Sequence, residues 1–153
     1  MTKEEHYKSL LPQVKALCEG ENDMIAKMAN VAALLHTEFG FWWTGFYRVV
    51  NNELLLGPFQ GSIACVHIAF GRGVCGTAWK ERRTVVVPDV EEFPGHIACS
   101  SESRSEIVVP VYRDNDILAV LDIDSRELAT FDDTDAHCLE QIASYITNKN
   151  TTP

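Results

Sequence analysis

Apolar residues recur along this chain first at helical spacing, then at strand spacing, then at helical spacing again. Tyr7, Leu10, Leu11, Val14, Leu17 and Cys18 fall on one stripe of a helix that Gly20 is placed to stop. A second helix runs from about Asp23 to near Gly40, with Ile25, Met28, Val31, Ala32 and Leu35 as its apolar face. Strands follow. Trp43 to Val50 and Glu53 to Phe59 flank Asn51-Asn52, a hairpin turn because Asn tolerates the left-handed backbone region. His67 to Phe70 reads as a short strand. Gly71-Arg72-Gly73 is a turn into a short helix from Val74 to Glu81, and Thr84 to Val87 is a strand stopped by Pro88. Asp89 to Ser105 is irregular. Glu106 to Tyr112 and Ile117 to Asp124 form a second hairpin around Asp114-Asn115. The last helix starts after Phe131, with Asp132 as N-cap, Asp135 three residues on, and Cys138, Leu139, Ile142, Tyr145 and Ile146 as its stripe. Helices thus bracket a mainly antiparallel sheet of five or six strands, an α+β architecture with the terminal helices packed on one side.

Composition narrows the class. The 153 residues suit one domain, residues 1–153, and the 46% hydrophobic content suits a packed core. No apolar run approaches the roughly 20 residues that a membrane span needs. The polar start Met1-Thr2-Lys3-Glu4-Glu5-His6 has no signal-peptide core behind it, so the expected location is the cytoplasm. The net charge of −9 argues against a nucleic-acid partner, which requires clustered Lys and Arg.

Five cysteines change the picture, because cytosolic thiols are kept reduced and serve catalysis, redox sensing or metal binding more often than structure. Cys18 and Cys138 sit on helical stripes and read as small hydrophobes. Cys65, Cys75 and Cys99 fall in the segment richest in glycine and proline. Cys75 opens the short helix, where a helix N-terminus lowers a thiol's pKa. Cys99 lies in the long loop. These three read as buried thiols, as reactive thiols, or, with His67 and His96, as zinc ligands, although no C-x-x-C knuckle is present. Beside them stand carboxylates. Asp122 and Asp124 alternate onto one strand face about 7 Å apart, so they either emerge into solvent together or crowd and raise one another's pKa. Glu106 joins that face only if the second hairpin carries an odd loop or a bulge, and that arrangement is expected here.

The runs Trp43-x-Gly45-Phe46-Tyr47, Gly57-Pro58-Phe59-Gln60-Gly61, Gly73-Val74-Cys75-Gly76, Val87-Pro88-Asp89-Val90, Phe93-Pro94-Gly95-His96-Ile97-Ala98-Cys99, Ser105-Glu106-Ile107-Val108-Val109-Pro110 and Leu121-Asp122-Ile123-Asp124-Ser125 resemble the free methionine-(R)-sulfoxide reductases, small GAF-domain enzymes. The resemblance spans about residues 40–135 and carries all three thiols at the family's spacing; Trp42 and His67 depart from the pattern. It implies a single GAF-like domain and reduction of free methionine-(R)-sulfoxide without a cofactor or metal. Cys99 would be the nucleophile, Cys65 the thiol that closes a disulfide with it, and Cys75 an auxiliary thiol. Glu106, Asp122 and Asp124 would bind and protonate the substrate, and Trp43 and Tyr47 would line the pocket around its methyl-sulfoxide end. Thioredoxin would be the reductant, and GAF domains often pair through their terminal helices, so a homodimer is a further expectation. The alternative from another class is a GAF module that senses a small ligand without chemistry.

Overall fold

The computed structural model describes residues 1–97, 99 and 101–148; residues 98, 100 and 149–153, which the single-domain expectation includes, lie outside the described residues. The helices begin where the capping chemistry places them. Thr2 and Glu5 form a reciprocal capping box at the start of α1 (Lys3–Glu19), the Glu5 N–H donating to Thr2 Oγ1 at 3.1 Å and the Thr2 N–H to Glu5 Oε2 at 3.0 Å. Asp23 accepts from the Ala26 N–H at the start of α2 (Met24–Phe39), and Gly40, at φ +67°, ends it in the left-handed region that glycine enters without strain. Asp132 and Asp135 form the same box at the start of α4 (Asp133–Thr147).

Between these helices the chain lays down β1 (Trp43–Val50), β2 (Glu53–Gln60), β3 (His67–Ala69), α3 (Gly73–Glu81), β4 (Val85–Val87), β5 (Ser105–Arg113) and β6 (Asp116–Ser125), with a 3₁₀ turn at Val90–Glu92 inside the irregular stretch. The six strands form one sheet in the order β3-β2-β1-β6-β5-β4, each neighbouring pair antiparallel. Asn51 and Asn52 both take positive φ, as a two-residue turn of this twist requires.

The two faces of the sheet have different occupants. Phe46, Ile107, Val109, Val111, Ala119, Leu121 and Ile123 face α1, α2 and α4, whose Tyr7, Leu10, Met28, Leu35, Leu139 and Ile142 complete one core. Trp43, Tyr47, Val108, Val120, Val85 and Val87 face the other way, against Val74, Cys75 and Ala78 of α3. The terminal helices therefore do lie on one side, and the second side is left for a site. Two expected core residues are displaced: Leu17 is 37% exposed and Ile25 is 42% exposed. Each sits at the margin of its stripe, in the last turn of α1 and the first turn of α2, where the neighbouring helix no longer covers it. Lys27 is buried instead, its ammonium donating to the Asn148 carbonyl at 2.7 Å beyond the C-terminal end of α4, where the helix dipole favours a cation.

Candidate active site

The carboxyls reach one face by a register shift. The β5–β6 turn is the two-residue Asp114-Asn115, which alone would turn Glu106 away from the aspartates. Pairing runs Arg113 with Asp116 and Tyr112 with Ile117, then jumps to Val111 with Ala119, leaving Leu118 as the extra residue of a bulge. From there Glu106 pairs with Asp124, so all three acids project to the α3 side of the sheet. On the other flank of β6, Gly45 pairs with Asp122 and Trp43 with Asp124. A Cβ at Gly45 would lie 2.3 Å from Phe59 Cβ and 2.7 Å from Trp43 Cη2, so glycine is what lets these two side chains pack over this stretch of β1.

Glu106 (5% exposed) and Asp122 (6% exposed) are buried, and Asp124 is partly buried. Glu106 hydrogen-bonds both aspartates, Asp124 also bonds Ser103, and Asp122 bonds the Cys75 thiol. Burial first, then the neighbouring carboxylates, hold Glu106 well above the usual range; burial and the Asp122 charge do the same for Asp124. Asp122 is raised by burial but held down by hydrogen bonds from Glu106 and Cys75. The protons of the cluster therefore belong to Glu106 and Asp124, with Asp122 as the accepting carboxylate. Its Oδ1 is buried without a hydrogen-bond partner among the described residues, and Asp122 lines the pocket described below.

Cys75 corrects an expectation. It lies in the first turn of α3, yet burial and the Asp122, Glu106 and Asp124 charges push its thiol well above the ordinary value. The helix terminus is outweighed because three acids from two distant strands surround the sulfur. Cys65 and Cys99 differ in kind. Both are half-buried, and they are joined in a disulfide with their α-carbons 5.6 Å apart across a sequence separation of 34. That distance lies inside the normal range for the bond. Cys65 stands in the irregular segment between β2 and β3, and Cys99 in the loop before β5. Cys18 is buried in the helical core and Cys138 packs against it, as their stripes suggest.

The zinc set read from the sequence does not assemble. His67 is exposed at the sheet edge and meets Glu53 at 2.6 Å, while Cys65 and Cys99 are bonded to each other. Cys75, Glu106 and Asp122 do bring ligand atoms within 4.8 Å of one another, a set that shares only Cys75 with the zinc ligands read from the sequence.

A pocket joins these parts, lined by Trp43, Tyr47, Ser62, Arg72, Gly73, Cys75, His96, Cys99, Ser103 and the three acids, among others. Trp43 stacks between Phe59 and Tyr47, with ring centroids 5.2 and 5.9 Å away. Its Nε1–H donates to the Ser62 carbonyl at 2.9 Å, and the Tyr47 hydroxyl donates to the Cys65 carbonyl at 2.9 Å. Three further lining residues carry chemistry: the sequence named His96 only as a zinc candidate and passed over Ser103 and Arg72. His96 Nε2 sits 3.9 Å from Glu106 Oε1, its pKa lowered by burial against the pull of Asp122. Ser103 holds Asp124. Arg72 brings a cation to the mouth of an acidic pocket. The signal for His96 and Arg72 was present: each stands inside a glycine-punctuated run beside a reactive-thiol candidate.

Comparison with known proteins agrees with the fold. The chain belongs to the GAF-domain family, matching the GAF domain model over residues 21–148, and within that family to the free methionine-R-sulfoxide reductases. It is 56% identical over 148 residues to GAF domain-containing protein A of Dictyostelium discoideum, covering 96% of this chain and 94% of the relative. It is 45% identical over 147 residues to the free methionine-R-sulfoxide reductase of Escherichia coli, covering 95% and 89%. The X-ray structure of free methionine-R-sulfoxide reductase from Neisseria meningitidis, in complex with its substrate, matches with a TM-score of 0.94 at 50% identity, covering 96% of this chain and 89% of that one.

Proposed function

We propose that this chain, as one domain, reduces free methionine-(R)-sulfoxide to methionine, and that Cys99 and Cys65 carry the two electrons. The observation that carries the reading is a closable thiol pair beside a buried, proton-holding acid cluster. A sulfoxide oxygen leaves poorly until it is protonated. Glu106 or Asp124, kept neutral by burial, gives that proton while the Cys99 thiolate attacks sulfur. The bond formed between the Cys99 and methionine sulfurs then breaks as the protonated oxygen passes to Cys99, so methionine departs and Cys99 becomes a sulfenic acid. The Cys65 thiol condenses with it, forming the disulfide and releasing water. An external dithiol of the thioredoxin type then reopens the bond by exchange, which places the cycle in a reducing compartment such as the cytoplasm. No helix among the described residues is long and apolar enough to cross a membrane.

Selectivity for the free amino acid follows from charge. The unpartnered Asp122 Oδ1 suits a substrate ammonium, and the N–H groups opening α3 suit its carboxylate. Trp43 and Tyr47 supply an apolar wall for the methyl-sulfoxide end. A sensor module without chemistry would need neither a closable disulfide nor protonated acids.

Single-turnover yields test the roles. Cys99→Ser is expected to release no methionine, and Cys65→Ser about one methionine per chain before it stalls. Equal yields from the two variants overturn the assignment.

A further inference from the structure

We propose that Tyr47 is a positioning residue for disulfide closure: its hydroxyl, through the Cys65 carbonyl, holds the Cys65 thiol where the Cys99 sulfur can reach it. The segment from Gly61 to Val66 carries Cys65 but has neither strand nor helix of its own. Apolar burial fixes it only in part: Ala64 and Cys65 are half-buried against the α3-side core, whereas Ile63 is 90% exposed and Val66 is also exposed. Three hydrogen bonds complete the hold. Trp43 Nε1–H donates to the Ser62 carbonyl and Tyr47 Oη–H to the Cys65 carbonyl, each at 2.9 Å, while the Leu56 N–H donates to the Val66 carbonyl at 2.9 Å. Trp43 and Tyr47 share one face of β1, both rings are buried, and they stack on each other. Their donors are therefore fixed to the sheet and not to the loop. A site held from a strand is placed more accurately than one held by loop contacts alone.

The consequence is kinetic and thermodynamic. Disulfide closure is an intramolecular step whose rate and equilibrium follow the effective concentration of one thiol at the other. Without the Tyr47 hydroxyl, the chain between Ser62 and Val66 loses its middle anchor, the one on the cysteine itself. A net neutral hydrogen bond of ordinary strength corresponds to a change of roughly fivefold. The naming of Cys99 as the attacking thiol rests on the function proposed above, whereas the hold on Cys65 does not.

The test compares full-length wild type, Tyr47→Phe and Trp43→Phe, the latter keeping an aromatic ring but freeing Ser62. Each is equilibrated in glutathione redox buffers, and the Cys65 and Cys99 peptides are quantified by alkylation and mass spectrometry. For Tyr47→Phe the equilibrium constant for the disulfide is expected to fall about fivefold, a potential less negative by about 20 mV, with a smaller fall of the same sign for Trp43→Phe. After one addition of methionine-(R)-sulfoxide, sulfenic acid at Cys99, trapped by dimedone, is expected to accumulate in Tyr47→Phe and not in wild type. Closure is unimolecular, so its rate, read from the decay of the trapped sulfenic acid, is independent of how tightly the variant binds substrate. Unchanged equilibrium constants and closure rates in both variants, at wild-type melting temperature, overturn the proposal. A wild-type protein that releases no methionine yet loses disulfide stability on Tyr47→Phe overturns the proposed function and leaves the hold standing.

Discussion

Glu106 shows how one residue can cost stability and supply chemistry. Its carboxyl keeps its proton in the folded protein at pH values where the unfolded chain has released it, chiefly because it is buried and secondly because Asp122 and Asp124 are close. The folded state then binds more protons than the unfolded one, and stability falls as pH rises from the ordinary carboxylate pKa through the raised folded value. Glu106→Gln removes that slope. The variant is expected to melt at a higher temperature than wild type at pH 8 and to match it more closely at pH 4, as thermal unfolding at the two pH values would show. Turnover is expected to fall by on the order of 10²-fold, with a change in the basic limb of the rate profile, where a required proton is lost. A variant that is neither stabilised at pH 8 nor slowed would remove Glu106 from the acid's role. At this scale the sequence named the residues that the fold brings together and one reading of the crowded acids, but it misjudged the Cys75 thiol. Cys75 illustrates the gap: its helix position was legible, whereas the three acids around its sulfur come from β5 and β6, 31 or more positions away.

The element that decides the site is the β5–β6 hairpin. Its turn residues, Asp114 and Asn115, were readable, and Asp114 takes the left-handed φ of +55° that such a turn needs. The bulge at Leu118 was required by the chemistry but not marked by any local signal: Ile117, Leu118 and Ala119 form an unbroken apolar run with no glycine to locate it. Deleting Leu118 removes only the extra residue, so Ile117 opposite Tyr112 is followed directly by Ala119 opposite Val111 and Glu106 stays paired with Asp124. The deletion variant is expected to keep cooperative unfolding, followed by near-ultraviolet circular dichroism, and loss of cooperativity would show that the fold needs the bulge itself and not only the register beyond it. The helices were more legible than the hairpin. Capping residues and apolar spacing are local, so α2 and α4 start within one residue of their anticipated positions and α1 stops at Gly20 as expected. Only the stripe margins, Leu17 and Ile25, depended on how far a neighbouring helix extends.

At the scale of the whole molecule, the sheet separates two duties. One face spends its apolar residues on α1, α2 and α4, and the other holds buried acids, a disulfide and an aromatic wall above a pocket. The α+β plan and the placement of the terminal helices follow from periodicity. The pairing of Cys65 with Cys99 does not, because no local pattern relates two loops 34 residues apart; it was implied by family resemblance alone. That pairing is the hinge of the functional account, and it can be measured without any variant. Fully reduced protein is mixed with free methionine-(R)-sulfoxide in the absence of reductant, and protein thiols and free methionine are counted together. The expected result is two thiols lost per chain, mapped to Cys65 and Cys99, with one methionine released. Sulfoxide that binds and leaves unchanged, with all five thiols intact, would contradict it.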